Sequence, residues 1–225
     1  DVPHVTEYQC DGYSRRTRTI DPMGNKTEYH YDPSGNVTMS RTEGQLIDID
    51  DGVNNVRLYE TTYEYDSLDR LTRSIVAFFD PNTQIAIGDG NSITETHYSD
   101  NSQIVLIIDD SNNQTHYEYD TVNRKSLVTD AKGNTIRYTY DRNSNVIEGN
   151  EIDVSDLAEP NETFTTVYAY DNLDRLVSVT DNNSNTTEYD YDSRDNKRRV
   201  TNASNKEMRY EYDGLNRLTR TINDM

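Results

Sequence analysis

The residues able to carry chemistry are few and badly spaced for it. The run Asp48-Ile49-Asp50-Asp51-Gly52 has the oxygen donors of a calcium loop, because hard cations take carboxylate and carbonyl ligands. Its carboxylates miss the alternating register of such a loop, and Glu60 falls at the wrong distance for a closing ligand. The tip of a lengthened hairpin, where Asp and Gly serve a turn, explains the run more simply. His30, His97 and His116 lie in separate segments and His4 stands near the start, with no two at metal-ligand spacing, so they read as sheet-face residues. Ser, His and Asp occur without a nucleophile elbow, a Cys–His pairing or a Gly-rich phosphate loop. The expectation is a chain that is not an enzyme and that has no catalytic residue, no metal ligand and no cofactor.

The elements that would position such residues must be thin. Of 225 residues only 32% are hydrophobic, and mean hydropathy is -0.99, too polar for a thick core. The 18 tyrosines dominate the aromatic set against 3 Phe and no Trp. Tyrosine suits a half-buried sheet face, where the ring packs and the hydroxyl reaches a partner. A net charge of -19 disfavours a surface that tracks nucleic-acid phosphates and reads as an acidic solvated shell. Cys10 is the one cysteine, so no disulfide forms within the chain. No apolar run is long enough to span a membrane, and residues 1–9 do not read as a signal peptide.

Self-similarity organises the chain. Tyr-Asp recurs at Tyr31-Asp32, Tyr65-Asp66, Tyr119-Asp120, Tyr140-Asp141, Tyr170-Asp171, Tyr191-Asp192 and Tyr212-Asp213, with degenerate copies at Cys10-Asp11 and Tyr98-Ser99. Successive anchors lie 21, 34, 33, 21, 21, 30, 21 and 21 residues apart, which gives a period of 21 with insertions near 43–58, 77–92 and 150–163. A second turn signal (Asp21, Asp109, Asp130, Asp181, Asn202) splits each period into steps of 10 and 11 residues. Two turns and two strands per period predict a continuous antiparallel meander.

The turns carry their own mechanism. In Asp32-Pro33-Ser34-Gly35-Asn36 and Asp21-Pro22-Met23-Gly24-Asn25, Pro presets a type I corner, the leading Asp bonds the backbone ahead of it, and Gly takes a left-handed position that closes a bulged loop. Elsewhere the Gly slot holds Asp69, Ser102, Asn123, Asp174, Asp195 or Asn216, and Asp and Asn are the non-glycine types that best tolerate this geometry. Between turns Thr27, Tyr29 and Tyr31 point one way and Glu28 and His30 the other, and the Tyr-x-Tyr pair recurs in later repeats. Returning strands such as Leu176, Val177 and Val179 add a modest apolar complement. About eighteen short strands accumulate twist, so a curled strip is expected.

Tyr-Asp, then Gly/Asp/Asn four residues after the Tyr, then Asn/Arg and an apolar residue, resembles the YD (RHS) repeat family. Clear copies are Tyr31-Asp32-Pro33-Ser34-Gly35-Asn36-Val37, Tyr65-Asp66-Ser67-Leu68-Asp69-Arg70-Leu71, Tyr170-Asp171-Asn172-Leu173-Asp174-Arg175-Leu176 and Tyr212-Asp213-Gly214-Leu215-Asn216-Arg217-Leu218. The resemblance covers essentially residues 1–225 as a single array of about nine repeats. It implies an all-β, spiral strip forming part of a hollow shell, as in bacterial RHS polymorphic toxins, the cocoon components of insecticidal toxin complexes, and teneurins.

Function follows from that resemblance as two expectations. The first is a structural shell segment, secreted or at the cell surface, whose partners are other repeats of the shell and an enclosed C-terminal toxin or cargo domain. The second is a cell-surface module that binds carbohydrate or protein through Tyr-rich faces or insertion hairpins. The family's self-cleaving region with paired aspartates has no match here, so neither protease nor toxin activity is assigned.

Overall fold

A computed structural model describes residues 5–46, 55–155 and 160–224. The candidate calcium run 48–52 and His4 lie outside the described residues. Eighteen β-strands and no helix make up the described chain, which divides into two compact units, Asp1–Gln114 and Thr115–Met225.

The first unit contains β1 (Glu7–Cys10), β2 (Arg16–Ile20), β3 (Lys26–Tyr31), β4 (Val37–Gly44), β5 (Val56–Tyr65), β6 (Leu71–Phe79), β7 (Ala86–Tyr98) and β8 (Ile104–Ile108). Each pairs antiparallel with the next in sequence. The second unit repeats the plan through β9 (Gln114–Tyr119), β10 (Lys125–Thr129), β11 (Thr135–Tyr140), β12 (Val146–Asp153), β13 (Glu162–Tyr170), β14 (Leu176–Thr180), β15 (Thr186–Tyr191), β16 (Lys197–Thr201), β17 (Glu207–Tyr212) and β18 (Leu218–Asn223). Both are meanders of hairpins, the architecture that two turns per 21 residues requires.

One turn geometry serves nearly every hairpin. In the turn after β1 the Ser14 N–H donates to the Asp11 carbonyl at 3.0 Å, and the Asp11 N–H donates to the Arg15 carbonyl at 2.9 Å. The fourth residue is left-handed throughout, from φ 58° at Asp69 to φ 101° at Gly35, as a three-residue loop with a bulge demands. Asp69, Ser102, Asn123, Asp174, Asp195 and Asn216 all occupy this slot with φ between 58° and 68°. The β6–β7 turn is longer by one residue, with Gln84 donating to the Asp80 carbonyl and Asp80 to the Ile85 carbonyl.

Two features make the edges of each meander unlike. Turns at the Tyr-Asp positions join an odd strand to the following even one, and each is followed by a register shift that leaves one residue of the even strand unopposed: Thr72 between Leu71 and Arg73, or Val177 between Leu176 and Ser178. The turns at the other edge show no shift in β2–β3, β10–β11, β14–β15 or β16–β17. A bulge adds local right-handed twist, so twist is fed in from one edge, once per repeat. All three insertions lie on the opposite edge, in β4–β5, β6–β7 and β12–β13, where they lengthen the strands to between 8 and 13 residues against 4 to 6 in the unextended ones.

No hydrophobic side chain among the described residues is fully buried, and Thr61 is the one buried polar residue. The fold is a single layer whose cohesion must come from ladders and turn chemistry. Its two faces divide the labour. Register places Tyr168 opposite Val179 and Tyr170 opposite Leu176, so tyrosines and aliphatics share one face. The other carries rows of opposed charges: Arg18 faces Glu28, Glu28 faces Arg41, and Arg41 faces Glu60. Ion pairs link Arg18 to Glu28 at 3.4 Å and Arg41 to Glu60, and Arg73 bridges Glu64 at 3.2 Å and Glu95 at 3.4 Å. Such half-exposed pairs contribute little singly, but opposed like charges would weaken the sheet.

Candidate functional site

The residues that define the repeat assemble into a clasp at the Tyr-Asp edge. Its base is the leading aspartate. Asp66 accepts the Leu68 N–H at 2.8 Å and the Arg70 N–H at 3.1 Å on one carboxylate oxygen, and the Arg70 Nε at 2.7 Å on the other. Asp171 repeats the pattern with Leu173 and Arg175, and Asp213 with Leu215 and Arg217. Where the fifth position is Asn, its Nδ2 takes the guanidinium's place, as Asn36 does on Asp32 and Asn145 on Asp141. The hydrogen bond from the Arg70 side chain holds the Asp66 carboxyl below its ordinary pKa, against desolvation by burial, with the backbone donors helping. Asn36 does the same for Asp32 and Arg175 for Asp171.

From this base the arginine and asparagine turns reach forward to the next turn of their unit. The Arg15 Nη1 donates to the Asp32 carbonyl at 2.9 Å, Arg124 to that of Asp141 at 2.9 Å, and Arg175 to that of Asp192 at 3.1 Å. The same guanidiniums lie over the next tyrosine: Arg15 over Tyr31 at 4.6 Å from the ring centroid, Arg70 over Tyr98 at 4.7 Å, Arg124 over Tyr140 at 4.4 Å. Asn turns reach the left-handed residue instead, Asn36 donating to Asp69 and Asn145 to Asp174, each at 2.8 Å.

The tyrosine reaches backward. The Tyr31 hydroxyl donates to the Arg16 carbonyl at 2.7 Å, Tyr65 to Val37 at 2.9 Å, Tyr140 to Lys125 at 2.6 Å, Tyr170 to Val146 at 3.0 Å, Tyr191 to Leu176 at 2.9 Å and Tyr212 to Lys197 at 3.0 Å. The acceptor is always the first residue after the preceding turn. Burial, followed by the charge of the neighbouring tyrosine, raises the pKa of Tyr65, Tyr140, Tyr170 and Tyr191.

Gly35 serves the same clasp by supplying φ 101° beside Arg15, and Tyr119 and Asp120 open the turn closed by Arg124. Turn spacing alone does not reveal the arginine's role, although its signal is in the sequence: the fifth turn position reads Arg15, Asn36, Arg70, Gln103, Arg124, Asn145, Arg175, Asn196, Arg217, an alternation that a 21-residue period hides. His30 and His97 project from the charged face, and among the described residues no group of His, Cys, Asp and Glu is arranged to hold a metal ion. The cavities there are shallow grooves, for example one beside Asp11, Arg18, Glu28 and His30. Within each unit the arrangement offers a set of mutual restraints between neighbouring repeats.

Comparison with known proteins agrees with this geometry. The RHS repeat family matches residues 170–207, the segment holding the clasp of Arg175 with Tyr191 and Asp192. No curated protein matches the sequence. Among solved structures, the crystal structure of TcdB2-TccC3-Cdc42 is 15% identical, with a TM-score of 0.59 over 97% of this chain and 13% of that one. The Photorhabdus luminescens Tc holotoxin pore carrying a TccC3 substitution is 15% identical, with a TM-score of 0.60 over 98% and 13%. TcdB2-TccC3 without its hypervariable C-terminal region is 12% identical, with a TM-score of 0.62 over 96% and 13%. At these identities the likeness is one of fold, and the chain spans about an eighth of those chains' length. The resemblance to the RHS repeat family drawn from Tyr-Asp and its turn is thus borne out. Among the described residues no helix is long and apolar enough to cross a membrane.

Proposed function

We propose that this RHS-type repeat scaffold is wall material: residues 1–225 act as one array of about nine repeats within a longer container that encloses a C-terminal toxin or cargo domain. The observation that carries the reading is the clasp, since hydrogen bonds and stacked guanidiniums pass from turn to turn along one edge of each unit. A wall one sheet thick, with no buried apolar side chain among the described residues, encloses volume with little protein. The likeness to Tc toxin structures favours a secreted or cell-surface setting and a cargo as the enclosed partner. Scaffolding, rather than enzyme action, is the role assigned.

The carbohydrate-binding alternative needs free aromatic faces. The clasp tyrosines are instead hydrogen-bonded through their hydroxyls, and four lie under a guanidinium. The test is protease protection of the full-length gene product. Enclosure predicts that any domain C-terminal to the array resists digestion, and becomes sensitive when Arg124 and Arg175 are replaced together by Ala. A C-terminal domain equally sensitive in both proteins would refute enclosure.

A further inference from the structure

Glutamate stands three residues before the clasp tyrosine in β3, β7 and β15, as Glu28, Glu95 and Glu188. Register puts the first two opposite an arginine of the preceding strand, Arg18 and Arg73, each with its Nε 3.4 Å from the carboxylate. Glu188 faces Ser178 on that side and Thr201 on the other, and neither carries charge. Arg199 of the next strand is already paired with Asp190 and Glu207. The Glu188 side chain is exposed and makes no ion pair or hydrogen bond among the described residues. A position that elsewhere holds a carboxylate and its guanidinium holds here the carboxylate alone.

Glu188 borders a groove between the turns that begin at Asp181 and Asn202, lined also by Asn185, Thr186, Thr201, Asn202 and Asn205, with no Lys, Arg or His. Much of this polar lining is committed within the fold. The Asn202 side-chain oxygen accepts the Ser204 and Lys206 amides, and the Thr186 hydroxyl meets that of Thr180 at 2.9 Å. The Asn185 oxygen is different. Its Nδ2 is held on Asp181 at 2.9 Å, as that of Asn25 is on Asp21 and that of Asn134 on Asp130, both at 2.8 Å. In those two turns the amide oxygen accepts a backbone N–H from the neighbouring insertion hairpin, Gln45 at 3.4 Å and Val154 at 2.7 Å. The hairpin that follows Asn185, β16–β17, carries no insertion, and Asn185 Oδ1 accepts nothing among the described residues.

We propose that this groove binds an arginine side chain of a partner polypeptide. Glu188 takes the guanidinium, as Glu28 and Glu95 take those of Arg18 and Arg73 within the chain. Asn185 Oδ1 accepts a backbone N–H of the same segment, as Asn25 and Asn134 do from Gln45 and Val154. A guanidinium suits the site better than an ammonium, because its paired N–H groups meet a carboxylate two at a time and leave further donors for the Thr201 hydroxyl. The amide acceptor selects a polypeptide over a free cation. One exposed ion pair contributes little, so the two acceptors act together.

An NMR titration of the full chain with a capped tripeptide whose central residue is arginine tests this. Saturable shifts are expected at the backbone amides of residues 184–188 and 201–205, with a Kd on the order of 1–10 mM. The lysine tripeptide and methylguanidinium, which lacks the backbone amide, should each bind at least about threefold more weakly. Glu188→Gln removes the charge, and Ser178→Arg gives Glu188 the partner that Glu28 has in Arg18, so each should abolish the response while circular dichroism stays unchanged. No saturable shift at these residues, shifts spread along the whole acidic chain, or a response that persists in either variant overturns the proposal. Equal affinity for lysine overturns the guanidinium as the recognised group, and equal affinity for methylguanidinium overturns a polypeptide as its source.

Discussion

Arg175 and Tyr191 are 16 positions apart in sequence, yet the guanidinium lies 5.0 Å from the ring centroid while its Nη1 donates to the carbonyl of the next residue, Asp192. The same group holds Asp171 of its own turn at 2.7 Å and reaches Asp195 at 2.8 Å. One side chain thus joins two turns through stacking, a backbone acceptor and two carboxylates. Where the described residues bury no apolar side chain, contacts of this kind stand in for hydrophobic packing between repeats.

Replacing Arg124 by Lys should loosen the link between its turn and Tyr140. Lysine offers a point charge and cannot pair Asp120, stack on the ring and reach the Asp141 carbonyl together. Native-state hydrogen exchange of amides in β10 and β11 is expected to quicken about tenfold, with more distant strands unchanged, because repeats lean chiefly on neighbours. A uniform effect across the chain would contradict a local clasp.

The left-handed slot gives a prediction of opposite sign. Ser184 has φ 63°, and no hydrogen bond from its side chain is used by the clasp. Ser184→Gly should stabilise by about 0.5–1 kcal/mol because glycine occupies this region without steric cost. Ser184→Val should destabilise by about 1–2 kcal/mol. Urea midpoints of the two variants, compared with wild type, check both directions.

The carboxylates and phenols set the pH window. Asp32, Asp66 and Asp171 have folded pKa values below their ordinary ones, held there chiefly by hydrogen bonds from Asn36, Arg70 and Arg175. Their contribution is present above the unfolded value of about 4 and is lost as pH falls through the lower folded values. Tyr65, Tyr140, Tyr170 and Tyr191 are shifted up, first by burial. Their contribution is intact below about pH 10 and disappears as pH rises through the folded values. Thermal melts should therefore form a plateau between these limits, and Asp171→Asn should shorten the acid side's slope. A melt that changes steadily through neutral pH would contradict both assignments.

Much of this was readable without coordinates. Asp at the first turn position, and Gly35, Asp69 or Asn216 at the fourth, fix a left-handed three-residue loop by chemistry confined to five residues. Thr27, Tyr29 and Tyr31 alternate with Glu28 and His30, which sets the strand and its two faces. The 21-residue period then leaves little choice but a meander.

What the sequence determined alone is the local plan: where each turn falls, which residue takes the positive φ, and which positions share a strand face. Those depend on neighbours in the chain, so they are legible there. The tertiary structure decided that Arg15 belongs to Tyr31 and Asp32, that Tyr65 reaches back to Val37, that Thr72 and Val177 are bulged out, and that in each unit the insertions lie on the edge opposite the Tyr-Asp turns. Each of these depends on strand register and on which hairpin lies alongside, and a shift of one residue would move every side chain to the other face.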